Sequence, residues 1–149
     1  MDLRKSLAKD EILNSYNMRW LEGGVMLEFY RKIRRKSKKV MIKDIGIGGD
    51  SPITVQSMTN TKTSDIKSTV KQIHTLEEAG CDIIRVAVPD MASADAISKI
   101  KKQIHIPLVA DVHFDYRLAI ESIKQGADGL RINPGNIGDT DKVQKVVEM

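Results

Sequence analysis

Short apolar segments alternate with amphipathic segments four times along residues 53–148, and this alternation constrains the fold more than any other feature. Strands are predicted at 53–56, 83–88, 108–112 and 130–132, and helices at 65–79, 93–102, 115–125 and 139–148. Strands that alternate with helices pair in parallel. Strands that are apolar on both faces fit a sheet covered by helices. The pattern therefore predicts an α/β fold, either an open doubly wound sheet or the first half of a (βα)8 (TIM) barrel.

An internal repeat favours the barrel. Gly80-Cys81-Asp82-x-x-Arg85 returns 46 residues later as Gly126-Ala127-Asp128-x-x-Arg131, which is a shift of two βα units. Alternate strands of a (βα)8 barrel contribute side chains to the same interior layer. The repeat therefore predicts that Arg85 and Arg131 lie at equivalent heights on the second and fourth strands.

The region before the first strand is different in composition. Residues 40–42 and 45–47 flank a polar pair and predict a short β-hairpin. Residues 1–43 contain twelve Lys/Arg against five Asp/Glu, whereas residues 44–149 contain twelve against fifteen. We expect 1–33 to be a solvated basic leader and 34–149 to be the amino-terminal half of a TIM barrel. Without interleaved aromatic residues, nucleic-acid binding is the weaker interpretation, and a basic RNA-binding module stays an alternative.

The first 25 residues lack the strand–helix alternation that follows. Codons for Glu22 to Met26 can include a purine-rich GGAGG stretch just before an ATG, as in a bacterial ribosome-binding site. We therefore expect translation to begin at Met26 and the preceding residues to be a gene-calling artefact.

Composition excludes several classes of protein. The single cysteine, Cys81, excludes an internal disulfide and any iron–sulfur or cysteine-based zinc site built from this sequence alone. No apolar run approaches the ~20 residues that span a bilayer. The sequence has no secretory signal pattern, so a cytoplasmic location is expected.

Polar residues mark the carboxyl ends of the predicted strands, where the active sites of barrels lie. Arg85 lies in the second strand, Asp111 and His113 lie at the end of the third, and Arg131 and Asn133 lie at the end of the fourth. An unpaired arginine in a buried strand is costly, and a bound phosphate group would satisfy two of them. The alternative is internal pairing with Asp111, or with the aspartates of the repeat, and spacing alone does not separate the two.

Histidine has two candidate roles at this edge. We expect Asp111 to orient the imidazole of His113, which would donate to a phosphate or take part in proton transfer. The alternative is that His113 is a structural histidine whose ring nitrogens are hydrogen-bonded within the core. Two ligands are too few for a metal centre, so no metal site is predicted. His74 and His105 lie away from the strand ends, and we expect them to be structural or solvated.

Four segments, in this order, resemble the 4-hydroxy-3-methylbut-2-enyl diphosphate synthase family of the non-mevalonate isoprenoid pathway. The resemblance runs from about Arg34 to the end of the sequence. The segments are GGDSPITVQSMTNT (48–61), CDIIRVAVP (81–89), IPLVADVHF (106–114) and LRINPGN (130–136).

The resemblance implies a TIM barrel followed by a smaller domain that holds a [4Fe-4S] cluster on three cysteines and one glutamate. It implies reductive ring opening of 2-C-methyl-D-erythritol 2,4-cyclodiphosphate, with ferredoxin or flavodoxin as electron donor, by a homodimer. By matching positions, Arg85, His113 and Arg131 would bind the diphosphate, with Asn133 and Asp111 nearby.

The sequence departs from the family after four βα units, so we expect the iron–sulfur domain and its cluster ligands to lie outside it. These 149 residues alone are then expected not to turn over substrate. A pteroate synthase-like phosphate-binding barrel is the alternative enzyme.

Overall fold

The computed structural model describes residues 35–133 and 135–149, together with the backbone of 19–20 and 26–27. The chain divides into two units, Met1–Lys36 and Ser37–Met149. In the first unit, β1 (Arg19–Trp20) pairs antiparallel with β2 (Met26–Leu27). Apart from these strands, the predicted leader and the question of its start site lie outside the described residues.

The second unit opens with two short strands, β3 (Val40–Ile42) and β4 (Ile45–Ile47), which pair antiparallel. Lys43, in the turn between them, has a positive φ of 53°. The strands and helices that follow alternate as β5 (Gln56–Met58), α1 (Ile66–Glu78), β6 (Ile83–Ala87), α2 (Met91–Lys101), β7 (Leu108–Val112), α3 (Tyr116–Lys124), β8 (Gly129–Ile132) and α4 (Thr140–Val147).

The last four strands form one parallel sheet in the order β5-β6-β7-β8. Sequential order of parallel strands is the arrangement that successive βα units produce. The α/β class and the parallel sheet agree with the prediction from the alternating pattern.

The core lies between the sheet and the helices. Ile84 and Val86 of β6 and Ala110 of β7 are fully buried on the face that packs against helix residues such as Ile73 and Ile97. Because side chains alternate along a strand, Arg85 and Asp111 project from the other face. The sheet therefore separates an apolar, helix-covered face from a face that carries charged side chains.

The predicted first strand, 53–56, is wrong in position. The strand begins at Gln56, and Ile53 is 82% exposed. The backbone of Val55 is bonded by Asp82 instead: its N–H donates to Asp82 Oδ2 at 2.7 Å and its carbonyl accepts from Asp82 N at 2.8 Å. The apolar side chains of Ile53 and Val55, which are typical of a strand, are instead exposed and lie just before β5.

Local capping explains the helix boundaries. Asp65, Asp90 and Asp115 precede α1, α2 and α3, and each side chain accepts a backbone N–H from the first turn. Gly80 and Gly126 follow α1 and α3 with φ of +87° and +90°, the left-handed conformation that glycine adopts readily. Among the described residues, no helix is long and apolar enough to cross a membrane.

Candidate functional site

Asp111 is the centre of a cluster of four charged or titratable side chains. Its carboxylate is 4% exposed, and three basic groups contact it. Arg131 Nη1 donates to Asp111 Oδ1 at 3.1 Å, and His113 Nε2 lies 3.2 Å from the same oxygen. Arg85 Nε lies 3.4 Å from Oδ2. We call Arg85, Asp111, His113 and Arg131 the Asp111 cluster.

Sheet register brings this cluster together. Asp111 is the register partner of Arg131 on β8 and of Ala87 on β6. Arg85 precedes Ala87 by two residues, so its side chain leaves the same face of the sheet. Arg85 and Arg131 therefore share the face opposite the helices, although along the register Arg85 is level with Val109 and Gly129, two residues before Arg131.

A cavity of about 410 Å³ opens at the cluster. Its volume lies within the range of small-molecule sites, ~300–1,000 Å³. It is lined by Met58, Arg85, Asp111, His113, Arg131, Asn133 and Asn136. The basic side chains are 32% (Arg85), 50% (His113) and 46% (Arg131) exposed, whereas Asp111 is buried. The cations thus face open space around a buried carboxylate.

Charge in the cluster is not balanced. Two guanidinium groups meet one carboxylate, which leaves a formal charge of +1 when His113 is neutral. The two alternatives derived from spacing are therefore combined: Asp111 does pair with both arginines, and the pairing leaves positive charge and room beside it. Forked guanidinium donors in such a place suit a phosphate group.

The aspartates of the repeat do not contribute to this site. Asp82 bonds the backbone of Val55, and Asp128 Oδ2 accepts from Leu108 N at 2.7 Å and pairs with Lys101. Both lie before their strands, at the opposite end from the cluster. The alternative that Asp82 or Asp128 neutralises the arginines is therefore wrong.

Asn133 organises the turn after β8. Its carbonyl accepts from Asn136 N at 3.0 Å and Ile137 N at 3.1 Å, and its Oδ1 accepts from Gly135 N at 3.2 Å. These bonds bring Asn136 to the cavity, a residue that sequence reasoning did not place in the site. Its only signal was its position in a turn after a strand, which is common to many asparagines.

Met58 is the second residue that sequence reasoning missed. It is the last residue of β5 and the register partner of Arg85, whose Nε donates to Met58 Sδ at 3.4 Å. Nothing in the local pattern distinguishes this methionine from a core methionine, since the contact depends on strand pairing.

Residues 37–149 match the family model described as the GcpE TIM-barrel domain. The chain belongs to the GcpE family. Proteins named 4-hydroxy-3-methylbut-2-en-1-yl diphosphate synthase (flavodoxin) are similar to it. The one from Caldicellulosiruptor saccharolyticus is 64% identical over 112 residues, which are 75% of this chain and 32% of the relative.

Two further relatives of the same name give the same result. The Ruminiclostridium cellulolyticum protein is 60% identical over 116 residues, covering 78% of this chain and 33% of the relative. The Pseudomonas aeruginosa protein is 59% identical over 116 residues, covering 78% and 31%. This GcpE-family chain thus spans about a third of the length of the curated relatives it matches. The resemblance inferred from the four segments is confirmed.

The residues of this GcpE-family chain do not fit an iron–sulfur cluster. Cys81 is buried, and its Sγ donates to the carbonyl of Ile83 at 3.1 Å, before β6 rather than at the cavity. Within the described parts of the chain, no three His, Cys, Asp or Glu side chains are grouped to hold a metal ion.

The other two histidines lie outside the cavity. His74 Nε2 contacts the carbonyl of Gln103 at 2.7 Å, and His105 Nδ1 lies 3.3 Å from Glu77 Oε2. Burial opposes ionisation of Glu77, but N–H donation from His105 and Ile106 outweighs it and lowers the pKa of that carboxyl. This contact ties α1 to the segment before β7 and has a structural purpose.

Proposed function

We propose that this chain supplies the diphosphate-binding part of a 4-hydroxy-3-methylbut-2-en-1-yl diphosphate synthase. Its substrate would be 2-C-methyl-D-erythritol 2,4-cyclodiphosphate, which the enzyme opens and dehydroxylates with two electrons. The observation that carries the proposal is the 410 Å³ cavity, lined by two arginines that share a single buried carboxylate. The names of the relatives give the product, 4-hydroxy-3-methylbut-2-en-1-yl diphosphate, and name flavodoxin.

Each residue of the Asp111 cluster has a distinct part in this proposal. Arg85 and Arg131 bind diphosphate oxygens through their guanidinium N–H groups. Asp111 fixes the two arginines and His113 from below, because it contacts all three. His113, half-exposed at the cavity, donates to a phosphate oxygen or transfers a proton, and Asn133 lies beside the bound group.

The remaining machinery belongs to the proposal as well. Flavodoxin, named in the relatives, or ferredoxin would deliver the electrons, and a homodimer would form in the cytoplasm. The family's [4Fe-4S] cluster would be held by residues other than those described here, since Cys81 is committed to the interior. By itself the chain is expected to bind the cyclic diphosphate without turning it over.

Calorimetric titration of the purified chain with the cyclic diphosphate, and separately with inorganic pyrophosphate, tests the proposal. Arg131→Ala and Arg85→Ala should each weaken binding about tenfold or more, the value of a hydrogen bond to a charged group. Arg117→Ala is the matched control, because Arg117 is 70% exposed and pairs with Asp115 outside the cavity.

The outcomes are distinct. Binding that Arg117→Ala leaves unchanged and Arg131→Ala weakens supports the proposal, provided that both variants melt cooperatively. If the unmodified chain binds neither anion, or if the arginine variants bind as tightly as it does, the proposed site is wrong.

A further inference from the structure

Met58 contacts the guanidinium of Arg85 within the proposed anion site. Arg85 Nε donates to Met58 Sδ at 3.4 Å and lies at the same distance from Asp111 Oδ2. Met58 is 36% exposed and lines the cavity. A thioether is therefore accessible from the cavity and in direct contact with one of its two arginines.

The thioether sulfur of Met58 is a weak hydrogen-bond acceptor, so it holds Arg85 without neutralising the guanidinium charge. Nε carries a single hydrogen, and a thioether accepts it without adding charge. Asp111 already contacts Arg131 and His113, so it cannot neutralise Arg85 fully. Within the described part of the chain, no protein acceptor is found for the terminal nitrogens of Arg85, which leaves their hydrogens for a ligand.

We propose that Met58 positions Arg85 for anion binding and that oxidation of its thioether to the sulfoxide switches this binding off. The inference rests on the proposed function. With hydrogen peroxide as oxidant, the sulfur gains one oxygen and loses two electrons. The peroxide O–O bond breaks, and its second oxygen leaves as water. Methionine sulfoxide reductase reverses the change with a dithiol as reductant, which becomes a disulfide while the sulfoxide oxygen leaves as water.

A sulfinyl oxygen changes the contact in two ways. It is a strong acceptor that competes with the ligand for the N–H groups of Arg85. It also makes the side chain polar and larger where the cavity wall now carries sulfur. Both effects remove donors from the anion, so the oxidised chain should bind pyrophosphate about tenfold more weakly.

The experiment compares three proteins before and after hydrogen peroxide treatment: the unmodified chain, Met58→Leu and Met41→Leu. Met41 is 51% exposed in β3, outside the cavity, and controls for oxidation elsewhere. Peptide mass spectrometry measures the sulfoxide at each methionine, and calorimetry measures pyrophosphate affinity. A fourth arm treats the oxidised chain with the reductase.

Expected results follow from the contact. The unmodified chain and Met41→Leu should lose affinity in proportion to sulfoxide at Met58 and regain it after reduction. Met58→Leu keeps the shape of the wall but loses the acceptor, so it should bind about threefold more weakly and ignore peroxide. If Met58 is oxidised and affinity stays constant, or if Met58→Leu is equally peroxide-sensitive, the proposal is overturned.

A ligand-free measurement separates this inference from the proposed function. With the methionine methyl groups labelled with ¹³C, the Met58 resonance should shift in Arg85→Lys, because the guanidinium contact is lost. Absence of that shift overturns the positioning role even if pyrophosphate binds. Conversely, failure of the unoxidised chain to bind pyrophosphate overturns the proposed function and the switch with it, while the resonance still reports on the contact.

Discussion

Asp111 Oδ1 accepts a hydrogen bond from Arg131 Nη1 at 3.1 Å, and the two residues are also register partners on adjacent parallel strands. The register of β7 and β8 thus places the carboxylate of Asp111 beside the guanidinium of Arg131. Since β7 is buried along its whole length, the carboxylate is shielded from water while its cations are half-exposed. Removal of the charge at Asp111 should therefore affect both stability and the cavity.

Asp111→Asn is expected to lower the free energy of unfolding by about 1–3 kcal/mol, because a buried carboxylate with three basic neighbours becomes neutral. Urea unfolding followed by circular dichroism measures the change. Asp115→Asn, which alters an ion pair at the surface, should cost about 1 kcal/mol or less. Equal stabilities of the two variants would contradict the central position of Asp111.

Gly80→Ala and Gly126→Ala should destabilise the chain by similar amounts, about 1–2 kcal/mol each. An added Cβ meets nothing within 4 Å at either position, so the cost arises from the φ values of +87° and +90° alone. Gly129→Ala is the matched control: its Cβ would meet Val109 Cγ2 at an ordinary 3.5 Å without a positive φ.

Thermal or urea unfolding of the three glycine variants checks this. A Gly129→Ala chain as unstable as the other two would mean that space, rather than backbone conformation, limits these sites.

Asp128→Ala should be more destabilising than Asp82→Ala by about 1 kcal/mol. Asp82 accepts the N–H of Val55, just before β5, and Asp128 accepts that of Leu108 in β7, but Asp128 also pairs with Lys101, a side chain only 20% exposed. Loss of Asp128 leaves that ammonium group without its partner. The Asp128→Ala/Lys101→Met double variant should recover part of the loss, and a double-mutant cycle from urea unfolding measures the coupling.

Stability should depend on pH through Glu77. Because the pKa of this carboxyl in the folded chain lies below its ordinary value of 4.5, its contribution is complete above that value. It is then lost as the pH falls through the lowered pKa. Glu77→Gln should therefore be less stable than the unmodified chain at neutral pH, and the difference should vanish in strong acid.

Urea unfolding across the acid range measures this dependence, with Glu78→Gln as control, since Glu78 is an exposed carboxylate one residue along. A constant difference between Glu77→Gln and the unmodified chain at all pH values would contradict the assignment.

The repeat shows how far a local pattern reaches. Its spacing predicted equivalent heights for Arg85 and Arg131; the two share a face because side chains alternate along each strand, but the register places Arg85 level with Gly129, two residues before Arg131. The contacts of Asp82 and Asp128 could not be predicted from the local pattern, because each accepts a backbone N–H from a distant residue. Val55 N lies 27 residues before Asp82, and Leu108 N lies 20 residues before Asp128. Each copy of the repeat thus contains a glycine that ends a helix, an aspartate that accepts a backbone N–H from a distant segment, and an arginine that lines the cavity.

By itself, the sequence determined the order of strands and helices, the ends of the first helix near Asp65 and Gly80, and the family. All of these depend on neighbours within a few residues or on motifs in a fixed order. The tertiary structure decided the register of β5, the sharing of Asp111 between two arginines, and the entry of Met58 into the site. The physical reason is that a strand's period sets the face of a side chain, whereas its partner is set by pairing with strands far away in the chain.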